Sequence, residues 1–131
     1  MYLLDTDIII YSLKGHEAVR ENLEKHINDP VKICVITIME LYYGAYKSEH
    51  VSGNLAKIKA IETGFETIPI GNESSEIFGM LKASFQKKGE SLDDFDLIIA
   101  SCALANNLVL VTNNAKHFKR IESLKLDNWA A

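Results

Sequence analysis

Short apolar runs recur along this chain, and each ends abruptly in a polar residue. Tyr2–Leu4 stops at Asp5, the β-branched stretch Val31–Ile36 at Thr37, and Leu108–Val111 at Thr112. None of the three alternates apolar with polar residues, as a strand with one wet face would. Continuous apolar runs of this length, rich in Val and Ile, mark strands covered on both faces. Such strands belong to parallel sheets, whose crossovers must be helices. The segments between the runs supply them. Asp7 is placed to cap a short helix ending at Lys14-Gly15. Glu17 to Asn28 puts Val19, Leu23 and Ile27 on one helical face, and Asn28-Asp29-Pro30 makes a turn. Thr37 and Glu40 have capping-box spacing at the head of a helix through Met39, Leu41, Tyr42, Tyr43 and Ala45. Val51 to Gly64 completes a helical hairpin.

Glu66 to Ile70 reads as another short strand. Asn72 to Lys88 reads as a helix with Ile77, Met80, Leu81 and Phe85 inward, stopped by Gly89. Ser91 to Asp94 is a carboxylate-rich helix start, favoured by the helix dipole, before the strongly apolar helix Phe95–Asn106. Asn113 to Phe118 is a turn or short helix, and Leu124 to Leu126 an edge strand. This alternation predicts a three-layer α/β/α fold with a mostly parallel sheet of four to five strands.

At 131 residues, 47% hydrophobic and 24% charged, the chain fits one domain spanning 1–131 and can bury its own core. Cys34 and Cys102 sit in apolar surroundings with no second metal-ligand residue at useful spacing, and read as buried reduced thiols. The N-terminal segment lacks a basic region, and Asp5 and Asp7 interrupt its apolar run, so it does not read as a signal peptide. No stretch approaches the roughly 20 apolar residues that span a bilayer. A cytoplasmic protein without a membrane partner is expected. The net charge of −4, from 18 acidic and 14 basic residues, counts at first sight against a nucleic-acid partner.

In open parallel sheets, ligands bind beyond the carboxyl ends of the strands. The residues at those exits are acidic or small and polar: Asp5-Thr6-Asp7, Thr37 with Glu40 a turn later, and Thr112-Asn113-Asn114. Asp93, Asp94 and Asp96 begin the apolar helix. Singly, each has an ordinary reading as a helix cap, a turn residue or a solvated helix start. Asp96 differs, because it adjoins the buried run Leu97-Ile98-Ile99-Ala100. Carboxylates from separate segments at one sheet edge would raise each other's pKa unless a cation neutralised them. Oxygen ligands without Cys or His suit Mg²⁺ or Mn²⁺. Such an ion can acidify a water for phosphodiester hydrolysis.

With these residues assembled, the sequence resembles the PIN-domain family, and within it the VapC-type toxins of toxin–antitoxin systems. The resemblance rests on Leu3-Leu4-Asp5-Thr6-Asp7-Ile8-Ile9, Thr37-Ile38-Met39-Glu40-Leu41-Tyr42-Tyr43-Gly44-Ala45, Asp96-Leu97-Ile98-Ile99-Ala100-Ser101-Cys102-Ala103-Leu104-Ala105, and Leu108-Val109-Leu110-Val111-Thr112-Asn113-Asn114 with His117-Phe118. It extends to Leu124-Lys125-Leu126-Asp127-Asn128-Trp129. Each segment is weak alone; four in order at matching spacing are strong. The resemblance implies a PIN-like fold and a Mg²⁺- or Mn²⁺-dependent endoribonuclease that leaves 3′-hydroxyl and 5′-phosphate ends. It makes Asp5, Glu40 and Asp96 the metal-binding and catalytic residues. Thr6, Asp7, Thr37, Asp94, Thr112 and Asn114 support them, with Thr6 and Thr112 as hydrogen-bond donors. Asn114 stands where the family often has Asp, which would weaken a second metal site. His117 also stands where an acidic residue is common.

The resemblance further implies an RNA substrate (transfer or ribosomal), a homodimer, and a VapB-like antitoxin that inhibits the toxin. Lys82, Lys87, Lys88, Lys116, Lys119 and Arg120 are candidates for RNA contact. The apolar residues of Met39–Tyr43 and Val51–Ile61 are candidates for a partner groove. Two other readings stay open. Asp5-Thr6-Asp7 also looks like the opening of a haloacid-dehalogenase-type phosphatase, although that leaves Glu40 without a role. Asn114 could instead mark a catalytically weak antitoxin-binding or dimerisation module. If Asp5, Asp7, Glu40 and Asp96 share one metal site, the remaining acids balance the 14 basic residues. The charge sign then no longer excludes RNA.

Overall fold

The computed structural model describes residues 1–131. In chain order the elements are β1 (Tyr2–Leu4), α1 (Thr6–Leu13), α2 (Glu17–Lys25), β2 (Val31–Cys34), α3 (Val35–Tyr46), α4 (Val51–Gly64), β3 (Glu66–Ile68), α5 (Asn72–Lys87), α6 (Asp94–Ala105), β4 (Val109–Val111), α7 (Ala115–Phe118) and β5 (Leu126–Asp127). The five strands form one sheet in the order β3-β2-β1-β4-β5, and every pairing is parallel. The α/β/α fold class read from the sequence is therefore present, with a sheet that is wholly rather than mostly parallel.

Strand alternation divides the core in two. Leu3, Cys34 and Leu110 point to one face, where they pack with Phe85 of α5, Leu97 and Ile99 of α6, and Phe118 of α7. Leu4, Ile33 and Val111 point to the other, against Ile8 and Ile9 of α1, Val19 of α2, Leu41 of α3, Ile58 of α4 and Trp129. Helix α6 carries six buried residues, as its nearly unbroken apolar sequence requires. Cys34 and Cys102 are free and fully buried, with their sulfurs 3.3 Å apart across the β2–α6 contact. Burial and the hydrogen bond that Cys34 donates to Cys102 keep the Cys34 thiol protonated, the hydrogen bond being the larger cause.

The register fixes the site. Leu4 lies opposite both Ile33 and Val111, so the carboxyl ends of the three central strands finish within one residue of one another. The Asp5 N–H continues the ladder by donating to the Val111 carbonyl at 2.9 Å, and the Thr112 N–H donates to the Asp127 carbonyl at 2.9 Å. Asp5 and Thr112 thus emerge side by side from the middle of the sheet.

Several local expectations are corrected. Asp5, not Asp7, caps α1, its carboxylate accepting from the Thr6 N–H at 2.8 Å. Helix α3 begins at Val35, two residues before the expected cap. Thr37 therefore lies inside the first turn, fully buried, and no Thr37–Glu40 capping box forms. Helix α2 ends at Lys25, leaving Ile27 beyond the helix and 76% exposed. In α5, Met80 faces solvent, and Phe78 with Leu81 packs on the core instead. The last strand is Leu126–Asp127 rather than Leu124–Leu126, although it does form a sheet edge.

Candidate functional site

Asp5 stands at the centre of the carboxyl edge, and only 6% of its surface is exposed. One oxygen accepts from the Thr6 N–H, and the other accepts from Thr112 Oγ1 at 2.8 Å. Thr112 is itself fully buried, and its hydroxyl accepts from the Asn114 N–H at 3.0 Å. Burial pushes the Asp5 carboxyl up, while the hydrogen bonds from Thr112 and Thr6 hold it down.

Glu40 reaches the same edge from the second turn of α3. Its Oε1 accepts from Thr6 Oγ1 at 2.7 Å. The Thr6 and Thr37 hydroxyls are 3.1 Å apart. A hydroxyl has one proton, and with that of Thr6 directed to Glu40, Thr37 is the donor in this pair. Glu40 is half-buried, and burial pushes its carboxyl up; the Thr6 hydrogen bond opposes this, and the charges of Asp5 and Asp93 add to it.

Asp96 lies in the first turn of α6, half-buried. Its carboxyl is pushed up to about 6, by burial first and then by Asp5, Asp93 and Glu40; His117 pulls it slightly down. Asp7 is pushed up to about 6 by burial and by Asp5, with a smaller push from Asp96. One Asp7 oxygen accepts from the Asn113 N–H at 3.0 Å. The other is buried with no hydrogen-bond partner. These mutual effects bring Asp5, Asp7, Glu40 and Asp96 into one electrostatic neighbourhood, although they come from three helix starts far apart in sequence.

The remaining expected residues lie at varying distance from this centre. Asp94 is exposed and turned towards Lys82, at 3.0 Å. It belongs to the rim. The Asn114 side chain is exposed and bonded to His117 Nδ1 at 3.1 Å, so its backbone rather than its amide touches the Asp5–Thr112 pair. Arg120 donates to the carbonyls of Ser91 and His117 and lies over the Phe85 ring, tying the loop before α6 to α7. Lys87, Lys88, Lys116 and Lys119 are exposed and make no ion pair. Sequence reasoning missed Asn113, which holds Asp7 by its backbone, Tyr11 by its side-chain amide, and Asn128 by its side-chain oxygen. An Asn-Asn pair after a strand reads only as a turn, so nothing local singled it out.

No three His, Cys, Asp or Glu side chains close into a preformed ion cage. The donor set nevertheless fits a hard cation. All donors are oxygens, one buried Asp7 oxygen lacks a partner, and the Asp7, Glu40 and Asp96 carboxyls are pushed up by burial first and by their negative neighbours second. Mg²⁺ usually retains several waters and takes one or two carboxylates, so a complete protein cage is not required. Asp5, Asp7, Glu40 and Asp96 are the side chains at this edge that could hold such an ion.

Known proteins resemble this chain along nearly its whole length. The PIN domain family profile matches residues 2–124. The chain is 37% identical over 131 residues to ribonuclease VapC2 of Rickettsia felis, covering 98% of each. It is 33% identical over 132 residues to the tRNA(fMet)-specific endonuclease VapC of Shigella flexneri, again covering 98% of each. Among solved structures it resembles VapBC2 from Rickettsia felis bound to a promoter DNA fragment, with TM-score 0.91, 36% identity and 98% of both chains covered. DNA-bound VapBC from Salmonella typhimurium superposes with TM-score 0.92 at 32% identity, covering 98% of this chain and 97% of the other.

Proposed function

Because this chain belongs to the PIN domain family, we propose that it is an endoribonuclease toxin of the VapC type, held in check by a VapB-like antitoxin. Residues 1–131 act as one ribonuclease domain in the cytoplasm, where the toxin inhibits translation; no helix is long and apolar enough to cross a membrane. The observation that carries the reading is the cluster of mutually destabilised carboxylates at the exit of β1, supported by Thr6 and Thr112. A phosphatase-like attack by Asp5 would leave Glu40, held at this same centre by Thr6, without a role.

In the proposed mechanism, Asp5 and Asp96 would hold the Mg²⁺ or Mn²⁺ ion. The bound ion supplies positive charge for the phosphate and acidifies a water. Thr112 locks the Asp5 carboxylate in orientation, and the Asn114 N–H locks Thr112 in turn. Thr6, backed by Thr37, aims Glu40. With its pKa raised, Glu40 orients the attacking water and accepts its proton. Lys116 and Lys119 contact flanking phosphates.

The relatives from Shigella flexneri and Salmonella typhimurium carry names specifying tRNA(fMet), which makes that RNA the first substrate to test. The antitoxin is assigned to the apolar cleft of about 380 Å³ between α1, α3 and α4, lined by Ile10, Leu13, Leu41, Ala45 and Ile58. The proposed toxin is a homodimer.

The test is cleavage of purified tRNA with Mn²⁺, with EDTA as control, by the wild type and by Asp5→Asn, Glu40→Gln and Asp96→Asn. All three variants should remain folded by circular dichroism and lose cleavage by at least a hundredfold. Wild-type rates in Asp5→Asn or Asp96→Asn would overturn the assignment.

A further inference from the structure

A second groove, of about 640 Å³, opens directly beside the acidic centre. Thr6 and Glu40 form its inner end, and Lys47 closes its outer end. Between them stand Ile10, Met39, Tyr43 and Phe95, which are 39%, 54%, 68% and 45% exposed. Single apolar side chains on a surface need no explanation, but four lining one groove against a reaction centre do.

Gly44 lines the same groove. It lies inside α3, where glycine weakens a helix relative to alanine. No contact within the chain demands it: a Cβ there would meet nothing within 4 Å, and its backbone is ordinary helix. The space it leaves is open to something outside the chain. The Lys47 ammonium lies 4.8 Å from the Tyr43 ring centroid and has no acidic partner.

We propose that this groove seats the unpaired nucleobase adjoining the scissile phosphate. Phe95 and Tyr43 stack on its faces, Gly44 admits its edge, and Lys47 receives the next phosphate. The assignment rests on the ribonuclease reading of the acidic centre, and deepens it by naming specificity residues.

Three observations favour a base over a protein side chain. RNA whose phosphodiester lies at Glu40 has this groove as one of the two clefts adjoining it. Glu40 and Lys47 are two helical turns apart on α3, about 10 Å, a distance one nucleotide and its flanking phosphate cover. Exposed aromatic faces followed by a lone cation are what unstacked bases and their backbone need. The groove shares Ile10, Glu40 and Gly44 with the cleft assigned to the antitoxin, so the two occupants would exclude one another.

The test starts from the cut that the wild type makes in a tRNA or in a hairpin oligoribonucleotide, in Mn²⁺. Abasic nucleotides are then placed on either side of that cut. One of the two should lower wild-type kcat/KM by about five- to a hundredfold, mainly through KM. Phe95→Ala and Tyr43→Ala should each lose a similar factor on intact RNA, and Phe95→Trp should restore most of it. On the abasic RNA the losses should not multiply. A readout without turnover is 2-aminopurine at the same position. Its emission should fall on binding to Glu40→Gln protein and recover in the Glu40→Gln/Phe95→Ala variant.

Losses that multiply, or variants that cleave intact RNA like the wild type, overturn the proposal. If those variants instead lose dimerisation or antitoxin binding, the groove belongs to a protein. A wild type that cleaves no RNA overturns the ribonuclease reading and this assignment together. Cleavage that ignores Phe95 and Tyr43 overturns this assignment alone.

Discussion

Removing one negative charge from the acidic centre should stabilise the metal-free protein, and Asp96→Asn is the cleanest way to do it. Asp96 has no hydrogen-bond partner to lose, and Asn has nearly the same shape. Its carboxyl titrates at about 6 in the fold against an ordinary 3.8. Between pH 4 and 6 the native state therefore binds more protons than the unfolded state, and stability falls as pH rises through that window. At pH 7 the cost is fully present; below about pH 4 it is absent. Taken at face value the difference corresponds to about 3 kcal/mol. The side chain is half-exposed, and solvent screening reduces this to about 1.5 kcal/mol. An acid in the first turn of α6 also gains about 0.5 kcal/mol from the helix dipole, which the amide gives up. The combined cost of burial and repulsion wins, leaving about 1 kcal/mol in favour of Asp96→Asn at pH 7.

Urea unfolding followed by the fluorescence of the single, buried Trp129 measures this directly. In EDTA at pH 7 the variant's midpoint should rise by about 0.5 M with unchanged slope. At pH 4 the two proteins should coincide. Saturating Mn²⁺ should reverse the order, because the wild type then gains binding energy that the variant lacks. An Asp96→Asn protein less stable than wild type at pH 7 in EDTA would refute the account. So would an equal gain at pH 4.

Other expectations rest on the same geometry. Thr112→Val removes a buried donor from Asp5 and an acceptor from the Asn114 N–H, and should cost about 1–3 kcal/mol in urea unfolding. It should also weaken Mn²⁺ binding by calorimetry. Asp7 and Asp96 titrate at about 6 without metal, so Mn²⁺ affinity should fall as pH drops from 7 to 5, with protons released on binding. Calorimetry in two buffers of different ionisation enthalpy would count them, and a pH-independent affinity would contradict the assignment. Cys34 and Cys102 are fully buried, so neither thiol should react with a chromogenic disulfide reagent in the folded protein, and both should do so in denaturant.

What could be read in the sequence followed from strongly repeated signals. The near-continuous apolar runs required strands covered on both faces, and these form the central β2, β1 and β4. Asp5 and Asp96 were legible because each interrupts or adjoins such a run, and Glu40 because it is charged within an apolar helix. The start of α3 was not legible. Val35 and Ile36 look like the end of a strand, yet they form the first helical turn. That shift of two residues turned Thr37 from a cap into a buried donor for Thr6. Asp7 looked like a cap because Asp5 had been reserved for chemistry, whereas Asp5 serves both ends. Ile27 and Met80 kept the right periodicity but fell beyond the helix end or on its outer face, which only tertiary packing decides. Asn113 depended on partners at Asp7 and Tyr11, about a hundred positions away.

That separation has a consequence for a growing chain. Asp5 leaves the ribosome well before Thr112, which fixes its carboxylate and follows 107 positions later. Until then β1 has β2 on one side and a bare edge on the other, because β4 does not yet exist. At synthesis rates of about 5–20 residues per second the wait lasts about 5–20 seconds. A nascent or truncated product stopping short of β4 carries its carboxylates without the scaffold that orients them. Activity therefore appears in one late step, and a partner already waiting has only the completed fold to capture.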